Sequence, residues 1–204
     1  MSRFPIIIFE GVEASGKTTN FNIAANYLRK KRKSFIKLRE PGGSIFSEKI
    51  RKLILNKKLK LNNKTDLLLF CAARSENYEK VIKKNYKKKI ILIDRFIDST
   101  IAYQHFGMKI DLNLIKMLNK FIIGNFNPDL VFLSTVNSRN LKKRLQERSR
   151  LNRYDEFRLN FYSKVQKGYE QISIKKSNYI SINSNINSIN DVKKIIINKL
   201  DSII

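Results

Sequence analysis

Acidic residues are scarce in this 204-residue chain, 17 against 42 lysines and arginines, and it has one histidine and one cysteine. Each scarcity excludes something. The single cysteine, Cys71, lies in the apolar stretch Leu67-Leu-Leu-Phe-Cys-Ala-Ala73, so it reads as a buried thiol and cannot form an internal disulfide. The single histidine, His105, leaves no evident base-orienting pair, so general-base activation of a sugar hydroxyl is not advertised. No apolar run approaches the roughly 20 residues that a bilayer crossing needs, and the N-terminus enters a strand without a signal-peptide core. A cytoplasmic location is the expectation. No internal repeat and no second domain are evident, so residues 1–204 are read as one domain, large enough to bury a core without disulfide or metal.

The net charge of +25 invites a nucleic-acid reading, because summed positive charge attracts polyphosphate without any built site. The pattern argues against it. Basic residues are scattered or gathered at element ends, as in Arg29-Lys-Lys-Arg-Lys33 and Lys87-Lys-Lys89, rather than interleaved with aromatics on one face. Specific nucleic-acid binding is not expected.

What the chain does have is an apolar strand running into Gly11-x-x-x-x-Gly16-Lys17-Thr18. A loop framed by glycines between a strand and a helix can turn successive backbone N–H groups inward as a phosphate cradle, and the helix N-terminus adds partial positive charge. Lys17 can reach the outer phosphates of a nucleoside triphosphate, and the Thr18 hydroxyl can ligate the magnesium that bridges them. The helix that follows carries Phe21, Ala24, Ala25 and Leu28 at amphipathic spacing. The loop Gly11, Val12, Glu13, Ala14, Ser15 and Gly16 therefore reads as part of an ATP or GTP site.

Taken in order, Ser34–Leu38 reads as a second strand ending in the breaker cluster Arg39-Glu-Pro-Gly-Gly43. Ser44 caps a helix with an apolar stripe of Ile45, Phe46, Ile50, Leu53 and Ile54 and with Arg51 off it. One long helix is expected from about Lys64 to Lys84, and on it Phe70 and Arg74 share a face. On that helix alone, plain core packing for Phe70 and a solvated charge for Arg74 is the competing reading. Lys89–Ile93 has the continuous apolar character of a central parallel strand and ends in Asp94-Arg95. In such sheets the ligand lies at the carboxyl ends of the strands, where an Asp can hold magnesium and an Arg can clamp phosphate. The next segment, Phe96–Gln104, is predicted helical and brings Ser99, Thr100, Tyr103 and Gln104 within a turn, either to read a base edge or simply to face water with their polar groups.

Asp111 caps a helix to about Ile123, Pro128–Leu133 is a fourth strand, and a basic helix starts at Asn137 and contains Arg144. Residues 148–155, rich in arginine and poor in apolar side chains, read as a mobile lid. Phe157, Phe161, Val165 and Tyr169 define another helix, Tyr179–Ile182 a fifth strand, and Ser188 with Asp191 caps the last helix. Alternation of this kind predicts an α/β fold, a three-layer α/β/α sandwich on a parallel five-stranded sheet. The parts suit phosphoryl transfer to an acceptor that is itself a phosphate monoester, which is largely dianionic at neutral pH and needs no base.

The ordered motifs resemble bacterial thymidylate kinases. They are Phe9-Glu-Gly-Val-Glu-Ala-Ser-Gly-Lys-Thr-Thr19, Arg39-Glu-Pro-Gly-Gly43, Leu69-Phe-Cys-Ala-Ala-Arg74, Asp94-Arg95, Asp98-Ser-Thr-x-Ala-Tyr-Gln104 and Asn152-Arg153. The resemblance implies a P-loop nucleoside monophosphate kinase fold and transfer of the ATP γ-phosphoryl group to dTMP for dTTP synthesis, with Mg2+. It implies that Phe70 stacks on thymine, that Thr100 and Gln104 bond its edge, and that Arg74 lies near base and phosphate. Ser99 belongs to the same turn. Arg51 and Arg95 would grip the dTMP phosphate, Glu13 and Tyr103 would face the deoxyribose, and Glu40 would sit close by. The metal would fall to Thr18 and Asp94, and Lys17 and Arg95 would act in catalysis. No arginine occupies the phosphate loop, so the lid would supply one: Arg153 first, Arg150 next, with Arg144 against adenine. His105, Met108 and Ser134 depart from the pattern. The resemblance further implies a homodimer through helices such as the one around 64–84. A kinase of the same fold with another acceptor is the nearest rival.

Overall fold

The strand Ile6–Gly11 (β1) is buried at every position, as a strand covered on both faces must be. The computed structural model describes residues 4–149, 151–174 and 176–204. Around β1 lie four more parallel strands, β2 (Phe35–Arg39), β3 (Ile90–Asp94), β4 (Leu130–Thr135) and β5 (Tyr179–Asn183), in the order β2-β3-β1-β4-β5. The register sets Phe9 and Arg39 on either side of Asp94, and Gly11 beside Ser134. One end of the sheet thus gathers the phosphate loop and the Asp94-Arg95 turn.

Helices cover both faces. On one, α1 (Lys17–Lys30) and α9 (Ile189–Asp201) bury Phe21, Leu28, Ile196 and Leu200 against Ile7, Phe9, Leu92 and Phe132. On the other, Ile6, Ile8, Ile91 and Ile93 meet Ile82, Phe96 and Ile123, the last on α6 (Leu112–Ile123). A further cluster of Tyr103, Tyr162, Val165 and Tyr169 lies along α8 (Leu159–Ile174). The result is the expected three-layer sandwich. Among the described residues no helix is long and apolar enough to cross a membrane.

The remaining helices are α2 (Ile45–Leu55), α3 (Asn63–Asn77), α4 (Lys83–Asn85), α5 (Ile97–Thr100) and α7 (Ser138–Gln146). Several boundaries differ from the sequence reading. Arg39 belongs to β2, because the ladder with β3 continues to Asp94. On α2 only Ile50 and Ile54 of the expected stripe are buried, while Ile45 is 86% exposed. The face that docks on α3 is shifted, and Ser47 belongs to it, donating through Oγ to Ala73 O at 2.8 Å. The long helix expected to Lys84 ends as α-helix at Asn77 and continues through a wider π turn, Tyr78–Ile82, into α4. Likewise α5 passes into a π-helical run, Ile101–Gly107, a rare form that often occurs at functional sites. Phe157 precedes α8 rather than belonging to it.

Candidate active site

The phosphate loop needs its glycines for two different reasons. At Gly11, with φ +141°, a Cβ would lie 2.4 Å from the Ser134 carbonyl oxygen, so backbone blocks any side chain. Gly16, with φ +92°, takes the left-handed conformation just before α1. Lys17 follows, 8% exposed, with its ammonium ion-paired to Asp94. Burial and the nearby Arg95 charge push the Lys17 pKa down, with Asp94 working against them. Both line a cleft of about 710 Å³, together with the exposed Thr18. Val12, Glu13, Ala14, Ser15 and Gly16 line the same cleft, whereas Gly11 is not on its wall.

Arg95 directs its guanidinium into this cleft from the end of β3, with backbone φ at +67°, a conformation that side-chain-bearing residues seldom adopt. It donates to Glu13 Oε1 at 2.9 Å and to the Tyr169 hydroxyl at 3.2 Å, and lies 5.2 Å from the Tyr103 ring centre. The Tyr103 hydroxyl donates to the other Glu13 oxygen. Arg51 points in from α2 and donates to Pro41 O at 2.7 Å. Phe70, Glu40, Ser99 and Gln104 form further wall. Arg74 and Thr100 are each 1% exposed and stand behind that wall, where Arg74 Nη2 donates to Thr100 Oγ1 at 2.9 Å. Arg74 is therefore not a solvated charge. Its remaining donors go to Glu40, Asn119 and the Phe96 carbonyl.

The opposite end of the cleft is closed by Arg144, which donates to Ala14 O at 3.1 Å and Ser184 Oγ at 3.0 Å and so ties α7 to the phosphate loop. The segment read as a lid is docked in this structure, with Tyr154 5% and Asp155 8% exposed. Arg148 lines the cleft and is ion-paired to Asp155. Arg153, expected to reach the phosphates, is held elsewhere. Its guanidinium is bound to Asp66 and donates through Nε to Ile54 O at 2.9 Å, which keeps it off the cleft wall. Arg150 lies outside the described residues. Of the departures noted above, Ser134 accepts from Asn20 Nδ2 at 2.9 Å, and His105 bonds Ile110 O at 2.8 Å, away from the cleft.

Two buried carboxylates of the site were missed. Glu10, near the carboxyl end of β1, accepts from the backbone N–H groups of Phe96 and Ser99 at 2.9 and 3.2 Å, and so fixes the turn that carries Arg95. Burial, then Asp98, pushes its carboxyl above the usual range. An acid inside an apolar strand was its signal. Asp66 accepts from Gln104, Tyr154 and Arg153. It stands one helical turn before Phe70 and two before Arg74, so extending their stripe backwards would have found it.

A parallel sheet with a phosphate loop at its switch point, a lysine buried on that loop and an arginine-lined second pocket in the same cleft define a P-loop nucleoside monophosphate kinase. Residues 9–196 match the family model described as Thymidylate kinase. The chain is 38% identical over 177 residues to a thymidylate kinase of Thermosipho africanus, covering 86% of this chain and 88% of that one. Against a thymidylate kinase of Mesoplasma florum it is 39% identical over 202 residues, 96% of each chain. The crystal structure of an Ehrlichia chaffeensis thymidylate kinase is similar with a TM-score of 0.77 at 34% identity, covering 97% of this chain and 98% of the other. The chain belongs to the thymidylate kinase family.

Proposed function

We propose that this protein transfers the γ-phosphoryl group of ATP to dTMP, giving dTDP. One observation carries the reading: the glycine-framed loop and the arginine-lined pocket open into a single cleft with Lys17, Asp94 and Arg95 between them. ATP would occupy the loop end, with backbone N–H groups and Lys17 on its phosphates and Arg144 toward the adenine. The dTMP phosphate would meet Arg51 and Arg95, the deoxyribose Glu13 and Tyr103, and the base Phe70 and Gln104. Arg74, Glu40, Ser99 and Thr100 support that pocket from behind or beside it. Alignment and charge neutralisation then suffice, because the acceptor phosphate is already ionised and no side chain has to take its proton.

A hard cation fits the donors available. Thr18 and Asp94 offer one hydroxyl and one carboxylate at the cleft, and among the described residues no group of three or more His, Cys, Asp or Glu could hold a metal alone. That sparse oxygen set suits Mg2+, which keeps its waters and binds mainly through phosphates. Bound there, the ion would neutralise phosphate charge as it develops. Asp94 would hold it in place of, or alongside, its pairing with Lys17.

The arginine that the lid supplies is, in this reading, Arg148 rather than Arg153: both are ion-paired, to Asp155 and Asp66, but of the two only Arg148 lines the cleft. A homodimer through α3 and α6 agrees with the apolar side chains left exposed there, Leu68 at 57%, Met117 at 61% and Phe121 at 88%. A cytoplasmic location belongs to the same proposal. Initial rates with ATP and dTMP, dUMP, CMP or thymidine as acceptor test the assignment: dTMP should be preferred, and equal rates with the others would sink it.

A further inference from the structure

Asp66 is fully buried on the first turns of α3. Its Oδ2 accepts from Gln104 Nε2 at 3.0 Å and from the Tyr154 hydroxyl at 2.5 Å, while Oδ1 accepts from Arg153. The Gln104 Nε2 also donates to the Tyr154 hydroxyl oxygen, 3.4 Å away. A carboxylate can only accept, so it dictates which end of the glutamine amide faces it. Both amide hydrogens are engaged on the protein side. The carbonyl oxygen is the end left for a ligand in the cleft, whose wall Gln104 helps to form.

We propose that Asp66 is a positioning residue for acceptor choice: by fixing the Gln104 amide with its carbonyl oxygen toward the ligand, it makes the pocket select a pyrimidine that carries N3–H. The inference rests on the reading that Gln104 meets the base. Thymine and uracil present N3–H, which donates to that oxygen. Cytosine presents a bare N3, and two acceptors would then face each other, each left without a partner. The device reads N3 and is blind to the 5-methyl group, so it separates dTMP and dUMP from dCMP but not from each other.

The test is equilibrium binding of dTMP and dCMP without ATP, since both carry the same sugar and phosphate. An asparagine at position 66 can offer an NH2 as well as an oxygen, which lets the Gln104 amide turn over. Asp66→Asn should therefore lower the dTMP-over-dCMP affinity ratio about tenfold, while Asp66→Glu, which remains an acceptor, should hold it. An unchanged ratio in Asp66→Asn, or equal weakening of both nucleotides, overturns the proposal. Binding is read instead of turnover because Asp66 also holds Arg153.

Gln104→Ala separates the two levels of the argument. If the ratio survives that substitution, Gln104 does not meet the base and the underlying reading fails. If it collapses there but not in Asp66→Asn, only the role of Asp66 fails. Should Asp66→Asn not fold, the wild-type protein still decides. With 15N labelling, the Gln104 side-chain NH2 protons should be protected from solvent exchange before dTMP is added. Fast exchange that only dTMP slows would mean that the NH2 end faces the ligand, and would overturn the proposal.

Discussion

Arg74 donates through Nε to Glu40 Oε2 at 2.8 Å, and neither side chain is more than 3% exposed. Burial pushes the Glu40 carboxyl up, and the Arg74 charge pulls it back. Removing one member of such a pair strands the other without compensation. Glu40→Ala should cost about 3–5 kcal/mol of folding stability, read as a fall in the urea midpoint, and a loss under about 1 kcal/mol would mean that the pair behaves as a solvated one.

Lys17→Ala should lower kcat at least about 10²-fold while the circular dichroism spectrum is retained. The ammonium is buried at the phosphate loop, and its partner Asp94 lies at the cleft rather than in a core cluster. Retained turnover would move the phosphate site elsewhere.

Phe70 lines the cleft and meets Tyr154 edge-on, with ring centres 6.0 Å apart. If its face carries the base, Phe70→Ala should remove about 1–3 kcal/mol of stacking. The consequence is a raised KM for dTMP at unchanged KM for ATP. The reverse pattern in steady-state kinetics would place the base at the other end of the cleft.

The two lid arginines predict opposite severities. Arg148→Ala should lower kcat about 10²-fold with little change in KM for dTMP, because Arg148 lines the cleft at the loop end. Arg153→Ala should cost much less in kcat, since Arg153, bound to Asp66 and Ile54, does not line the cleft. Equal losses, or a larger one at Arg153, would return the role to Arg153.

Burial works against an ionised Asp94, but the charges of Lys17 and Arg95 outweigh it and hold the carboxyl below its ordinary value of 3.8. A depressed folded-state pKa contributes stability above the unfolded value that is lost as pH falls through the folded one. The urea midpoint of the wild-type protein should therefore drop more steeply below pH 3.8 than that of Asp94→Asn. Parallel curves would show that the pair with Lys17 adds nothing in acid.

Whatever depends on consecutive residues was already legible in the chain. Gly11 to Thr18 builds a phosphate cradle from its own backbone, the apolar run before Asp94 marks a strand covered on both faces, and their alternation with helices leaves one sheet topology class. The long-range partners of the polar side chains were settled by how the elements dock. Arg153 and Asp66 are 87 positions apart, and no periodicity announces that they pair. Nor did the stripe of α2 reveal that Ser47 rather than Phe46 would face α3. A backbone motif carries its hydrogen-bonding pattern with it, whereas a buried side-chain polar group acquires its partner only when two elements dock. Water competes for that group until docking excludes it.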